Sequence, residues 1–142
     1  ADRNEPGGCG RPLDDLVLQR RGQGECRGGR RNSRLGLTAG RAGSWVWDGG
    51  VLHHAAAPEV SALSTAGAGD AHLAGILVGL AAGLAVPAAH QLASLCAALS
   101  VTSPHTINKL IDREALAALL KTSRIDASAE LKALLRGPGS HA

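Results

Sequence analysis

Aromatic residues are almost missing from this chain. Its 142 residues include no Phe and no Tyr, Trp45 and Trp47 are the only two Trp, and Met is absent too. The core must therefore be built from Ala, Leu and Val, whose small side chains demand close backbone approach and favour tightly packed helices. The shortage also bears on nucleic acid. The formal charge is +3 with a pI near 9.1, and much of the excess is Arg27, Arg30, Arg31 and Arg34. A strand-binding arm would set aromatic rings among such arginines. None stand there, so no nucleic-acid partner is expected.

Cysteine is sparse. Cys9, Cys26 and Cys96 show no C-x-x-C spacing, which argues against a disulfide framework and a structural zinc site. Cys96, in an apolar run, reads as a small buried hydrophobe. No signal peptide is legible in the polar, Gly-rich stretch 1–10, and a cytoplasmic location is expected.

Charge is missing from one long stretch: no Asp, Glu, Lys or Arg lies between Asp70 and Lys109. A membrane span would look similar, but Pro87 divides the stretch and His72, His90 and Gln91 interrupt it, so no membrane partner is expected. Gly75, Gly79 and Gly83 form a small-residue ridge of the kind that lets two helices touch, and two buried helices are expected there.

What is present divides at residue 35. Residues 1–34 are an irregular Gly/Arg-rich segment without clear periodicity. From Leu35 the signals are β-type: strands at 35–38, 44–47 and 51–54, with Asp48-Gly49-Gly50 as a hairpin turn. A loop over 58–66 leads to a helix over 70–83. A second helix has Pro87 in its first turn and runs to about Val101. Asp112 caps a third helix and Ser128 a fourth that ends at Gly137-Pro138. Adjacent strand residues face opposite ways, so His53 and His54 cannot share one metal, and no metal-ligating residue is predicted. Trp45 and Trp47 share one strand face and read as packing residues.

The stretch that carries chemistry is Ser64-Thr65-Ala66-Gly67-Ala68-Gly69-Asp70. Gly67 and Gly69 let the backbone turn so that N–H groups converge at the positive end of the following helix dipole. Such a nest suits an anion, above all a phosphoryl group in transfer. Asp70, beside it, can accept a proton from an attacking hydroxyl. A Walker A loop would need a lysine that is absent. A dinucleotide fingerprint would need a small residue at His72. A bare capping role for Asp70 is the plain alternative.

The run S-T-A-G-A-G-D-A-H-L-A-G resembles the second sequence motif of PfkB/ribokinase-family carbohydrate kinases, D-T-x-G-A-G-D-x-F-x-A-G. Upstream, Thr38-Ala39-Gly40-Arg41-Ala42-Gly43 is similar to that family's T-x-G-x-x-G nucleotide loop. Downstream, residues 92–100 resemble its L-A-N-A-A-A-A-L-S helix. The likeness covers residues 35 to 120, about three fifths of the chain. It implies an α/β fold: the truncated C-terminal part of a three-layer α/β/α sandwich over 35–142, with the N-terminal half missing and an apolar face exposed. It also implies phosphotransfer from ATP with Mg²⁺ to a sugar or nucleoside hydroxyl, or an inactive remnant with weak nucleotide binding at most. Asp70 would be the catalytic base. The backbone at Gly67, Ala68 and Gly69, with the Asp70 amide, would form the anion hole. Thr38, Gly40, Gly43 and Ser94 would line the nucleotide.

Departures qualify this. Ser64 stands where the family often has an Asp linked to a monovalent-cation site, which puts K⁺ activation in doubt. His72 replaces a common Phe. Asn4-Glu5-Pro6-Gly7 is similar to the family's N-x-x-E motif, with Gly7 in place of Glu. Residues 101–108, ending Thr106-Ile107-Asn108, are similar to pseudouridine-kinase-like members, though a simple inter-helix loop reads better. The small-molecule acceptor is not specified, and the uncovered face invites self-association.

Overall fold

The computed structural model describes residues 35–137, which fall within one compact unit. The segment 1–34, with Cys9, Cys26 and the Asn4–Gly7 motif, lies outside the described residues.

Three strands form an antiparallel sheet in the order β1 (Leu35–Thr38), β2 (Ser44–Trp47), β3 (Leu52–Ala55). Leu37 pairs with Trp45 and Thr38 with Ser44; across the hairpin, Val46 pairs with His53 and Ser44 with Ala55. The hairpin closes on one side chain. Asp48 Oδ1 accepts from the amides of Gly50 (2.9 Å) and Val51 (2.8 Å). Its Oδ2 lies 2.7 Å from His53 Nε2, and this bond, with the two amides, holds the carboxyl far below the usual carboxylate range. Because Val51 is drawn into the turn, β3 starts at Leu52, one residue later than expected. His54 turns instead to the Ala42 carbonyl, 3.1 Å away, so the two histidines diverge as strand alternation requires. Ser44 and Val46 face inward and are buried. Trp45 and Trp47 are half-buried, and Trp45 packs on the His54 ring at 4.5 Å.

Four helices follow: α1 (Ala68–Ala81), α2 (Val86–Val101), α3 (Arg113–Thr122) and α4 (Ala129–Arg136). Their ends follow local chemistry. Pro87 sits in the first turn of α2. Asp112 accepts from the Ala115 amide at 2.8 Å and Ser128 from the Leu131 amide at 3.2 Å, each capping a helix N-terminus. Gly137 follows the last turn of α4. α2 is the centre: it touches β2 and β3 on one side and α1, α3 and α4 elsewhere. Leu92 and Leu95 of α2 meet Leu116, Ala127, Leu131 and Leu135 in the main apolar cluster.

α1 packs on α2 through glycine. A Cβ at Gly75 would stand 2.6 Å from Ala93 Cα and 3.2 Å from Cys96 Sγ; one at Gly79 would stand 2.8 Å from Ala89 Cα. The expected ridge is thus real for two of its three members. Gly83 lies beyond the helix end, with φ +85° and nothing near it, so it belongs to the turn. The two helices are not both buried, either. Leu73, Leu77 and Val78 of α1 are 57–60% exposed, and Leu35 and Leu37 of β1 also face outward. Cys96 is half-buried rather than buried. Among the described residues no helix is long and apolar enough to cross a membrane.

Candidate active site

Two glycine-bearing loops carry the predicted site residues. In the first, Thr38 ends β1 and a single 3₁₀ turn over Gly40–Ala42 brings the chain to Gly43. Gly43 has φ +94°, and a Cβ there would collide with the Ala55 carbonyl oxygen, so both conformation and space require glycine. Thr38 and Gly40 are exposed and Gly43 is buried. The Ala39 amide donates to the Gly43 carbonyl (2.9 Å) and the Gly43 amide to the Gly40 carbonyl (3.1 Å), closing the loop on itself.

In the second loop the chain is pinned before the motif begins. The amides of Leu63 and Ser64 both donate to the Val101 carbonyl, at 2.7 and 3.2 Å. Ser64 Oγ accepts from the Ala66 amide at 3.3 Å. Gly67 precedes α1 with φ +83°, and a Cβ there would strike the Thr106 carbonyl oxygen. The tight position is therefore Gly67. Gly69, read in sequence as a second turning glycine, is already inside α1 with open space at its Cβ position. What it contributes is a bare surface over which an anion can approach. The Ala71 amide donates to the Gly67 carbonyl, and the Ala68 amide makes a long turn bond to Thr65 (3.4 Å). The amides of Gly69 and Asp70 have no backbone acceptor among the described residues, as a helix's first turn dictates. Asp70 is exposed in that same turn. Carboxylate and free donors thus share one helix end.

Ser94 is placed differently from the other nucleotide candidates. It is buried, and its Oγ donates to the His90 carbonyl at 3.2 Å and lies 3.3 Å from Ser44 Oγ. It also helps line a cleft of about 310 Å³ with His54, Ala55, Gln91, Arg124 and Asp126. Its hydroxyl is therefore engaged inside the protein, while its residue forms part of a cleft wall. Gln91, on the same wall, is spoken for by the Asp126 carbonyl and the Ser128 amide.

Sequence reading missed the polar node beneath these loops. Ser44 Oγ lies 2.7 Å from His90 Nε2 and 3.0 Å from His72 Nε2. The rings meet edge-on with centroids 5.6 Å apart. All are nearly sealed from solvent: Ser44 3%, His72 5%, His90 1%. Burial lowers the pKa of both histidines, that of His90 to about 4, helped by the nearby His72, His53 and His54. The one available signal was His72 itself, a polar ring where Phe was expected.

Thr106 and Asn108 resolve as loop structure. Asn108 Nδ2 donates to the Leu99 carbonyl at 2.8 Å and its Oδ1 accepts from the Leu110 amide at 2.9 Å, which leaves little of that side chain for a ligand.

Residues 29–113, more than half of the chain, match the pfkB family of carbohydrate kinases. The chain belongs to that family. The pfkB match starts upstream of residue 35 and stops short of 120, and it spans both glycine loops. Fructoselysine 6-kinase of Shigella flexneri is 38% identical over 65 residues, which is 46% of this chain and 25% of the relative. Fructoselysine 6-kinase of Escherichia coli (strain K12) gives the same figures. Among solved structures, ribokinase of Thermotoga maritima superposes with a TM-score of 0.59 at 26% identity, covering 63% of this chain and 30% of that one. The fold is thus part of a ribokinase-like α/β architecture, and the chain spans only about a quarter to a third of the length of these pfkB relatives.

Proposed function

We propose that this chain carries the phosphoryl-transfer centre of a kinase that moves the γ-phosphoryl group of ATP to a hydroxyl of a sugar or nucleoside. The observation that carries the reading is the shared helix end: the exposed Asp70 carboxylate in the same turn as the unpaired amides of Gly69 and Asp70. Asp70 takes the proton of the attacking hydroxyl. The amides over Gly67–Asp70 and the α1 dipole receive the charge of the transferred group. Thr38, Gly40 and Gly43 border the nucleotide phosphates, and the cleft beside Ser94 takes the base. Neutralisation of the phosphate charge would be supplied by Mg²⁺ when it is bound with the nucleotide. Among the described residues no cluster of three His, Cys, Asp or Glu offers a metal a site. Fructoselysine, named in two relatives, heads the list of acceptors to test. The Asn108 bonds give no support to a pseudouridine-type acceptor.

The alternative is a chain that binds nucleotide without turnover; the residues given span only about a quarter to a third of these relatives. Catalysis of this kind is mostly positioning, and a chain that does not hold its acceptor forfeits it. Calorimetric titration with Mg-ATP and acceptor-dependent ADP release over a sugar and nucleoside panel separate the two. The chain alone is expected to bind ATP and release ADP weakly or not at all. Joined to the N-terminal part of the E. coli relative, it should turn over. There Asp70→Asn should cut turnover by about 10²–10⁴-fold with ATP affinity kept. Unchanged turnover in that variant would remove Asp70 from the mechanism.

A further inference from the structure

We propose that Ser44 is a positioning residue whose single hydroxyl ties the two glycine loops of the site together; the inference rests on the kinase reading above. The argument is topological. Ser44 directly follows Gly43, the end of the first loop, and His72 comes two residues after Asp70 in the second. α1 packs against α2 and makes no comparable contact with the sheet. The His72–Ser44 bond is a direct hydrogen bond between α1 and the sheet. His90 and Ser94 bring α2 to the same oxygen, so three elements meet at one atom.

A hydroxyl has one proton and two lone pairs, and can serve no more than three partners. Ser44 Oγ has three: His90 Nε2 at 2.7 Å, His72 Nε2 at 3.0 Å and Ser94 Oγ at 3.3 Å. Ser94 spends its own proton on the His90 carbonyl. The Ser44 proton is then free to go to Ser94, with both imidazoles donating from Nε2. The node lies out of water, so a lost member is not replaced by solvent and its partners stay unpaired. The clamp thereby limits how far the turn bearing Asp70 can drift from the loop that borders the phosphates, the kind of displacement that transfer chemistry tolerates poorly.

The test uses the whole chain and two independent readouts. Backbone hydrogen exchange needs no ligand. In Ser44→Ala, protection at Ala39 and Gly43 in one loop and at Ala71 in the other should fall together, about tenfold, with little change at Leu131. His72→Phe, which keeps a ring without the nitrogen, should do the same, and His72→Gln, which keeps a donor, should recover part of it. The double variant Ser44→Ala/His72→Phe should lose little beyond either single change. In parallel, Ser44→Ala should weaken ATP binding about three- to tenfold. Loosening confined to one loop, or equal loosening everywhere including Leu131, overturns the clamp. So does full ATP affinity in a Ser44→Ala chain that exchanges normally at both loops. A wild-type chain that binds no ATP counts against the kinase reading, and the exchange data then decide the clamp alone.

Discussion

α1 and α2 draw on the same small set of residues and lie along one another, yet they differ in what they do with their large apolar side chains. α2 hides Leu92 and Leu95 with its alanines, beside the polar His90, Ser94 and Ser100, and leaves little of itself outside. α1 hides His72, Gly75 and Gly79 and presents Leu73, Leu77 and Val78 to solvent. Burial here does not follow hydrophobicity. It follows where a backbone can come close: α1 touches its neighbour where it has no side chain, and its large apolar groups point the other way. An exposed apolar row of this kind drives association unless something covers it.

The sharpest way to break the contrast is at the α2 side. Leu95 and Leu131 are 1% and 0% exposed, so Leu95→Ala or Leu131→Ala should cost about 2–5 kcal/mol in urea unfolding, through lost transfer energy and a residual cavity. Next comes the seam. Gly75→Ala places a methyl against the Ala93 backbone, which a rigid helix cannot absorb; about 1–3 kcal/mol should be lost, against about 1–2 kcal/mol for Gly83→Ala, where only the backbone angle resists.

Acid should act on the polar part of the seam. Folded His90 is held neutral with a pKa of about 4, first by burial and then by neighbouring histidines, against about 6.5 when unfolded. Its folded pKa is the lower one, so the stability linked to the neutral ring is complete above pH 6.5 and is lost as pH falls toward 4. The loss should be on the order of 3 kcal/mol, read as a falling urea midpoint across that window and reduced in His90→Gln, with the remainder carried by His72, whose pKa burial also lowers. The smallest effect on folding belongs to the α1 row. Leu77→Gln, at a 59% exposed site, should change stability by less than about 0.5 kcal/mol. It should nonetheless lower the apparent size in sedimentation, because an exposed apolar patch promotes association.

Much of the chain was legible because its boundaries are local. The Asp48 turn, Pro87, the Asp112 and Ser128 caps and Gly137 each act within a few residues, and β1, β2 and helices α2 to α4 stand where those signals put them. The errors arose where a contact arrives from afar. α1 starts at Ala68, not Asp70, because Gly67 turns the chain beneath Thr106. The Ser44 node joins residues 28 and 46 positions apart, a separation over which no periodicity speaks. The motif named Asp70 and its amides; it gave no hint that Ser94 would turn inward to a serine on the sheet.

Cys96 turns the α1–α2 seam into something that can be timed. Its sulfur lies 3.2 Å from where a Gly75 Cβ would be, and burial raises its pKa to about 11. At neutral pH almost none of it is thiolate, the form that reacts. Capping of this half-buried thiol should therefore be slow while the helices are packed and faster as they part, so its rate reports on the seam.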